Sequence, residues 1–498
     1  MSSPATAPFN LAAHVLAAGQ RSPEKIALSI LSEKTREDWS YGALIAAVLG
    51  TATGMLARGL VPGDRVLLRL GNTTDFPLAY LGALAAGLVP VPTAAALTEP
   101  EVAKIIAQVR PRLIPRDPAV PCPDDPALLP LEALRAMRDL PPAPWHMGDP
   151  ERLGYIIYTS GTSGKPSAVM HAHRAILARQ MMFEGWYGLR PEDRLMHAGA
   201  FNWTYTLGTG LMDPWTMGAT ALIPAPGTPA TALPDLLADH EATIFAAAPG
   251  VYRQMLRGMG AERLPALRHG LSAGEKMPED LRAAWQAATG TPVFEAFGMS
   301  ECSTFISGSP ARPPRPGAIG TAQPGRQVTI RDTGGQEAPA GEPGTIAIHR
   351  SDPGLFLGYL DAPEETAARF DGPWFLTGDQ GIRDADGQIT YLGRNDDMMN
   401  AGGFRVSPLE VEDSLRALQD LTAVTVTEVE VKPGTTVIAA FYTAPDPIAE
   451  AVLMAHAERT LARYKQPRLF IHVDALPVGG NGKLSRRRLR AAFEAKET

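Results

Sequence analysis

The stretch YIIYTSGTSGKPSAV, residues 155–169, decides how the rest of the chain is read. Its apolar start, Tyr155-Ile156-Ile157-Tyr158, has the length and composition of a buried strand. An unbroken run of hydroxyl and glycine residues follows, Thr159-Ser160-Gly161-Thr162-Ser163-Gly164, closed by Lys165 and Pro166. Glycines let backbone N–H groups close on phosphate oxygens, hydroxyls donate further hydrogen bonds, and a lysine supplies charge. The loop is not a Walker A motif, because Thr159 rather than a glycine opens the frame that ends in Gly164-Lys165. A flexible linker has similar composition, but linkers are rarely welded onto an apolar strand. The stretch therefore reads as a phosphate loop.

At 498 residues the chain is long enough for a large core and at least two domains. Its 45% hydrophobic and 20% charged residues are those of a soluble globular protein. A net charge of −7 argues against a nucleic-acid partner, which would call for a basic face. Two cysteines, Cys122 and Cys302, make no disulfide framework, so a reducing compartment is expected. The N-terminus MSSPATAPFN has neither the charged nor the apolar region of a signal peptide. No stretch reaches the ~20 apolar residues needed to span a bilayer. The expectation is a cytoplasmic protein without a membrane partner.

Working outward, residues 10–19 and 40–59 carry helical patterns. A strand at Arg65–Leu70, a helical pattern over Phe76–Ala86 and a second strand at Leu88–Pro92 predict a βαβ unit and a parallel sheet. Residues 111–150 are dense in proline and read as an irregular surface excursion. His171 and His173 lack a third nearby ligand, and a structural role is expected for them rather than a metal. Aromatic residues cluster in Phe201-Asn202-Trp203-Thr204-Tyr205 before a Gly-rich helix at Leu207–Met212. Polar Asn202 and Thr204 among them suit a small-molecule pocket as well as a core. SAGEKM (272–277) and AFGMSE (296–301) end in turn-like polar residues, as ligand loops do at the carboxyl ends of parallel strands.

From 320 onward Gly, Pro and short strand patterns predict a β-rich subdomain in which WFLTGD (374–379) and YLGRNDD (391–397) place acids and an arginine at strand ends. Composition shifts near Asp396. Ser407-Pro408-Leu409-Glu410 has a capping-box spacing with proline at the first helical position. Beyond it the pattern is helix (408–418), strands (423–431, 436–443), helix (447–463) and strand (468–473), a small α+β domain. Arg486–Arg488 reads as a solvated helix face.

YTSGTSGKP, AFGMSE, WFLTGD, YLGRNDDMMNAGGFRVSPLEVE and LPVGGNGK occur in the order and spacing of the adenylate-forming acyl-CoA synthetase superfamily, which the chain resembles over nearly its whole length. FNWTYTLGTGLMDPWTMGAT is most similar to the benzoate-CoA ligase branch. The resemblance implies an α/β fold: a large AMP-binding domain over 1–395 with parallel and mixed sheets, helices and the β-rich subdomain, and a small mobile α+β domain over 396–498. It implies ATP, Mg²⁺ and coenzyme A, a small carboxylic acid as substrate, and leaves a homodimer open. In the reaction a carboxylate attacks the α-phosphorus of ATP, and a thiol then displaces AMP; two anions meet in the first step, so positive charge and oriented donors must stabilise the transition state.

By the same resemblance Thr159–Lys165 would hold the β- and γ-phosphates, and Ser300 would donate to phosphate. Glu301 would bind Mg²⁺, a hard cation suited to carboxylate and phosphate oxygens. Phe297 would pack beside adenine, with Ala273 and Gly274 on its other side. Asp379 would accept both ribose hydroxyls, with Arg394 beside it. Lys483 would reach the α-phosphate and the attacking carboxylate. Asp396 matches the hinge about which the small domain swings to bring the loop Ala401–Phe404 to the thiol channel. There Gly402 and Gly403 would let backbone approach the pantetheine arm, and Phe404, Arg405 and Lys465 are further candidates for contact with coenzyme A. The acid pocket would be lined by Asn202, Trp203, Tyr205, Ala273, Gly298 and Phe305.

The chain departs from the family at Ser167, where a lysine is common after the loop's proline, at Ala168, where glycine is usual, and at Asn400, where lysine is frequent. Ser167 bears on pyrophosphate binding, and a catalytically impaired nucleotide-binding relative is one alternative; retained Lys483, Glu301 and Asp379 argue against it. A free-standing enzyme that loads a carrier protein is another. Neutral Asn202 disfavours an amino-acid substrate, because an ammonium buried opposite no charge is costly. No Lys, Arg or His lies within 199–209 or 296–306, so the expected substrate is a monocarboxylic acid, benzoate-like or short-chain aliphatic.

Overall fold

The computed structural model describes residues 7–159, 167–259, 264–395, 397–401, 404–432, 435–478 and 484–497. Its largest sheet has nine strands in the order Thr321–Ala322, Ser303–Ser307, Val293–Met299, His269–Ala273, Ile244–Ala247, Arg194–Ala198, Thr220–Pro224, Ile26–Leu31 and Arg36–Ser40. The six strands from Val293–Met299 to Ile26–Leu31 run parallel, and the outer strands join antiparallel. A parallel sheet is covered on both faces, so its strands are buried: every residue of Ile244–Ala247 and His269–Ala273 is inaccessible to solvent or nearly so. Leu195, Ile244, Ala246, Leu271 and Phe294 pack with Trp186 and Tyr187 on one face. Met196, Phe245, Ala247 and Val293 pack with Tyr252 and Trp285 on the other. Trp186, Trp215 and Trp285 are fully buried, and each indole N–H finds an acceptor, at Phe294 O (3.0 Å), Ala27 O (2.8 Å) and Thr291 Oγ1 (3.2 Å).

Glu295 sits in this sheet, buried, with Arg282 Nη2 3.2 Å from its carboxylate. Burial outweighs the guanidinium and pushes the carboxyl from 4.5 up to about 7. A raised carboxyl pKa means the native state holds the proton more tightly than the unfolded chain. The associated stability is complete below the unfolded value and is lost as pH rises towards 7. Glu295→Gln is expected to flatten the fall in thermal midpoint between pH 5 and pH 7.5; an unchanged slope would assign that pH dependence to other groups.

The predicted βαβ unit is present: Arg65–Leu68 and Val89–Pro92 pair in parallel, joined through the helix Asp75–Ala85. Residues 111–150 depart from the irregular reading. Ile114–Arg116 and Leu128–Pro130 form a short parallel pair, followed by the helix Leu131–Arg135. Arg69, fully buried, organises this excursion by donating to Pro121 O (2.6 Å), Ala94 O (2.6 Å) and Thr93 Oγ1 (3.0 Å). Arg69→Ala leaves those acceptors orphaned, so a loss of about 3 kcal/mol or more is expected, read as a lowered thermal midpoint.

The chain forms two compact units, Met1–Gln327 with Ile348–Pro373, and Val328–Ala347 with Trp374–Thr498. The second contains strands Val328–Arg331, Trp374–Arg383 and Ile389–Arg394, the helix Pro408–Leu415, and a three-stranded sheet of Ala423–Lys432, Thr435–Thr443 and Leu469–His472. Ser407 caps that helix by accepting from Glu410 N (3.4 Å), while the Glu410 carboxylate pairs with Lys465. The helices Glu450–Thr460 and Arg486–Glu497 complete the α+β pattern. Arg486 is not a solvated charge: it is ion-paired with Glu412 (2.6 Å) and Asp397 (3.5 Å).

Candidate active site

Three of the stretches singled out in the sequence leave the same sheet in the same direction. Gly199–Tyr205 follows the strand Arg194–Ala198, Gly274 follows His269–Ala273, and Ser300-Glu301 follows Val293–Met299. These are carboxyl ends of parallel strands lying within three strand spacings of one another, about 15 Å. Backbone carbonyls end there and loops of different strands converge, which is where open α/β sheets bind ligands.

The strand expected before the phosphate loop is Leu153–Thr159, with Ile156 and Ile157 buried. It pairs antiparallel with Ser167–Ala172, Thr159 opposite Ser167, so the loop joins a hairpin. Ser160 to Pro166, including Lys165, lie outside the described residues. Ser167 donates to Glu365 Oε1 at 3.4 Å, and Ala168 is buried in the hairpin core.

This hairpin fixes the Ser300-Glu301 turn. His171, in its second strand, donates from Nε2 to Ser300 O (2.7 Å) and stacks on Tyr155 at 4.8 Å. Burial lowers the His171 pKa to about 4, which keeps the ring neutral. Tyr359 pairs with the same strand and donates its hydroxyl to Glu301 Oε1 (2.7 Å). Phe356 N donates to Glu301 O (2.8 Å). Arg326, ion-paired with fully buried Asp352, reaches Cys302 O (3.1 Å) and Thr304 O (2.7 Å). Glu301, 8% exposed, is thus held as a rigid carboxylate. His173 is structural as well, its Nδ1 accepting from Leu11 N (3.1 Å).

The acid-pocket candidates divide. Trp203 is partly buried, and its indole lies against Gly274, whose φ is +96°. A Cβ at that glycine would stand 2.9 Å from Trp203 Cζ2, so these two predicted residues are brought together and only glycine fits. Tyr205 is 7% exposed, donates to Leu271 O (3.0 Å) and meets Trp203 edge to face at 5.9 Å. Phe305 is fully buried and meets Phe297 edge to face at 5.4 Å, which fixes the Phe297 ring. Gly298 sits at the irregularity where Val293–Met299 pairs with Ser303–Ser307. Asn202 is half-buried, and Ala273 is buried at the end of its strand. Asn72, which no motif marked, clamps the aromatic loop by donating to Gly199 O (2.9 Å) and accepting from Phe201 N (2.7 Å).

In the second unit Asp379 is 4% exposed and stands opposite Arg394 in an antiparallel pair. Its carboxylate accepts from the Tyr391 hydroxyl (3.0 Å) and lies 3.8 Å from Arg394 Nη1. Asp396 lies outside the described residues, between Asn395 and Asp397, whose N–H groups donate to Gly378 O (2.7 Å) and Arg394 O (3.2 Å). Phe404–Val406 pairs with Met399–Ala401, Arg405 opposite Asn400; Gly402 and Gly403 lie outside the described residues. Lys483 does too; of the described residues on either side, Val478 and Leu484 form an antiparallel bridge. Lys465 pairs with Glu410 at 2.5 Å. Among the described residues no three His, Cys, Asp or Glu cluster as a metal site.

A family model described as AMP-binding enzyme matches residues 15–360. The chain belongs to the AMP-binding enzyme family. Among curated relatives of this family member, 3-hydroxybenzoate–CoA ligase of Aromatoleum sp. (strain CIB) is 32% identical over 92% of each chain. Among solved structures, ATP-bound MatB from Rhodopseudomonas palustris matches with a TM-score of 0.90 at 26% identity, covering 98% of this chain and 99% of that one. A benzoate CoA ligase from Burkholderia xenovorans LB400 matches with a TM-score of 0.85 at 27% identity, covering 97% of this chain and all of that one. The fold is therefore that of an adenylate-forming enzyme. His171, Tyr359, Arg326 and Tyr391 went unread in the sequence as supports of family motifs, because none lies in the same motif as the group it holds; Tyr391 is in YLGRNDD, and the Asp379 it supports is in WFLTGD.

Proposed function

We propose that this chain is an AMP-forming carboxylate–CoA ligase acting on a small aromatic monocarboxylic acid. In the first half-reaction an oxygen of the acid bonds to the α-phosphorus of ATP while the bond to pyrophosphate breaks. In the second, the coenzyme A sulfur bonds to the acyl carbon and AMP leaves with the electron pair of the broken bond. The observation that carries this reading is the convergence of Gly199–Tyr205, Gly274 and Ser300-Glu301 at one end of one parallel sheet, with Glu301 rigidly held. The 3-hydroxybenzoate and benzoate ligases among the similar proteins favour an aromatic acid.

The site assignments follow the family motifs. Ser300 and the Thr159–Lys165 loop bind the phosphates, and Glu301 suits Mg²⁺, which would neutralise charge on the triphosphate. Phe297, Ala273 and Gly274 receive adenine, and Asp379 with Arg394 the ribose. Lys483 meets the two reacting groups, and Gly402, Gly403, Phe404, Arg405 and Lys465 serve the thiol step after movement about Asp396. That movement sets the domain boundary at 395/396. Among the described residues no helix is long and apolar enough to cross a membrane; a cytoplasmic location belongs to this proposal. The deciding test is a panel of carboxylic acids scored for CoA-dependent AMP formation. AMP formation with benzoate-like acids is expected; none with any acid would overturn the reading.

Trp203 against Gly274 forms the wall of the acid site in this reading. Trp203→Ala is expected to shift kcat/KM from benzoate towards longer acids such as octanoate, each added methylene gaining up to ~0.8 kcal/mol of burial. An unchanged chain-length profile would remove Trp203 from the wall.

A further inference from the structure

We propose that Arg179 is a positioning residue for adenylation, locking the helix Thr206–Met212 beyond the acid-facing loop to the turn that presents Ser300 and Glu301. This rests on the reaction proposed above. Arg179 ends the helix Ala175–Arg179, and its side chain is 7% exposed. Nε and Nη2 form a fork on Asp213, at 2.9 and 2.6 Å, and Nη2 also reaches Thr209 Oγ1 at 3.3 Å. Asp213 is fully buried and takes a further bond from the Tyr187 hydroxyl (2.7 Å). Neutralising Asp213 needs only the fork. The third arm, Nη1, donates instead to Ser303 Oγ at 2.5 Å.

Ser303 is two residues beyond Glu301 and has a φ of +61°, a left-handed conformation that a residue with a Cβ rarely adopts. Such backbone persists only where its surroundings over-determine it. Here Arg179 holds the side chain, while Arg326 holds the carbonyls on either side. At its other end the guanidinium lies across Gly208: a Cβ there would stand 2.1 Å from Arg179 Cζ. A methyl at 208 would displace the guanidinium from both partners at once. One buried, planar group therefore sets the distance between the acid-side helix and the turn proposed to bind triphosphate and metal. The consequence falls on the first half-reaction, since pyrophosphate has left before the thiol step.

The test measures benzoate-dependent ATP–pyrophosphate exchange, thioester formation from supplied benzoyl-AMP and CoA, and thermal midpoints. The proteins are wild type, Ser303→Ala, Gly208→Ala and Arg179→Lys. Lysine keeps the charge opposite Asp213 but cannot span the fork and the third arm together. Ser303→Ala removes one hydroxyl and keeps a folded chain. The expected result is a drop in exchange kcat of about tenfold for Ser303→Ala and Arg179→Lys, with the benzoate KM and the thiol step within about twofold of wild type. Gly208→Ala is expected to fall further. Unaffected exchange in Ser303→Ala and Arg179→Lys overturns the proposal while the assigned reaction stands. So does a fall of both half-reactions in step with the thermal midpoint, which would mark a packing role alone. Wild type that exchanges no pyrophosphate with any acid fails the assigned reaction itself, and the proposal with it.

Discussion

Lys483→Ala is expected to lower adenylation about 100- to 1,000-fold, the loss typical of removing one preorganised donor from a developing charge. The carboxylate and the triphosphate repel each other, and in the proposed assignment Lys483 is the charge that meets both. The variant is expected to convert supplied acyl-AMP and CoA at near-wild-type rate, because in the proposed assignment the thiol step follows withdrawal of this lysine. Pyrophosphate exchange and single-step thioester formation, measured on the same preparation, separate the two. Loss of both half-reactions together would show that Lys483 is misassigned.

Asp379→Asn is expected to lower kcat/KM for ATP by about 10- to 100-fold, with the KM for the acid little changed. The carboxylate is almost fully buried and already accepts from Tyr391, and its two oxygens are the acceptors assigned to the ribose hydroxyls. An amide of the same shape carries one acceptor in place of two and no charge. Tyr391→Phe removes only the supporting bond, so a smaller loss is expected, of about 0.5–1.5 kcal/mol. ATP kinetics of Asp379→Asn equal to wild type, at equal thermal midpoint, would remove Asp379 from nucleotide binding.

What could be read in the chain was set by neighbours in sequence. The apolar run Tyr155–Tyr158 became the expected strand, the helical pattern between Arg65–Leu68 and Val89–Pro92 became the crossover of a parallel pair, and Ser407 became a helix cap. Periodicity and capping are local physics, so a sequence shows them. The same holds for AFGMSE and SAGEKM, whose turn-like ends follow strands directly. The excursion at 111–150 was harder, because a three-residue strand such as Ile114–Arg116 is too short to show alternation, and its order comes from the buried side chain of Arg69.

The tertiary structure alone decided how the site is held. Tyr359 reaches Glu301 across 58 positions of sequence, Arg179 reaches Ser303 across 124, and His171 reaches Ser300 across 129. Nothing local to any of these residues marks the pairing. It also decided that the cation-free window 199–209 is not free of cations in space, since the Arg179 guanidinium lies on Gly208 with its charge met by Asp213. Strand register and the covering of the sheet bring such groups together; a buried donor takes whichever acceptor the fold leaves beside it, and that choice is made only once the chain has closed.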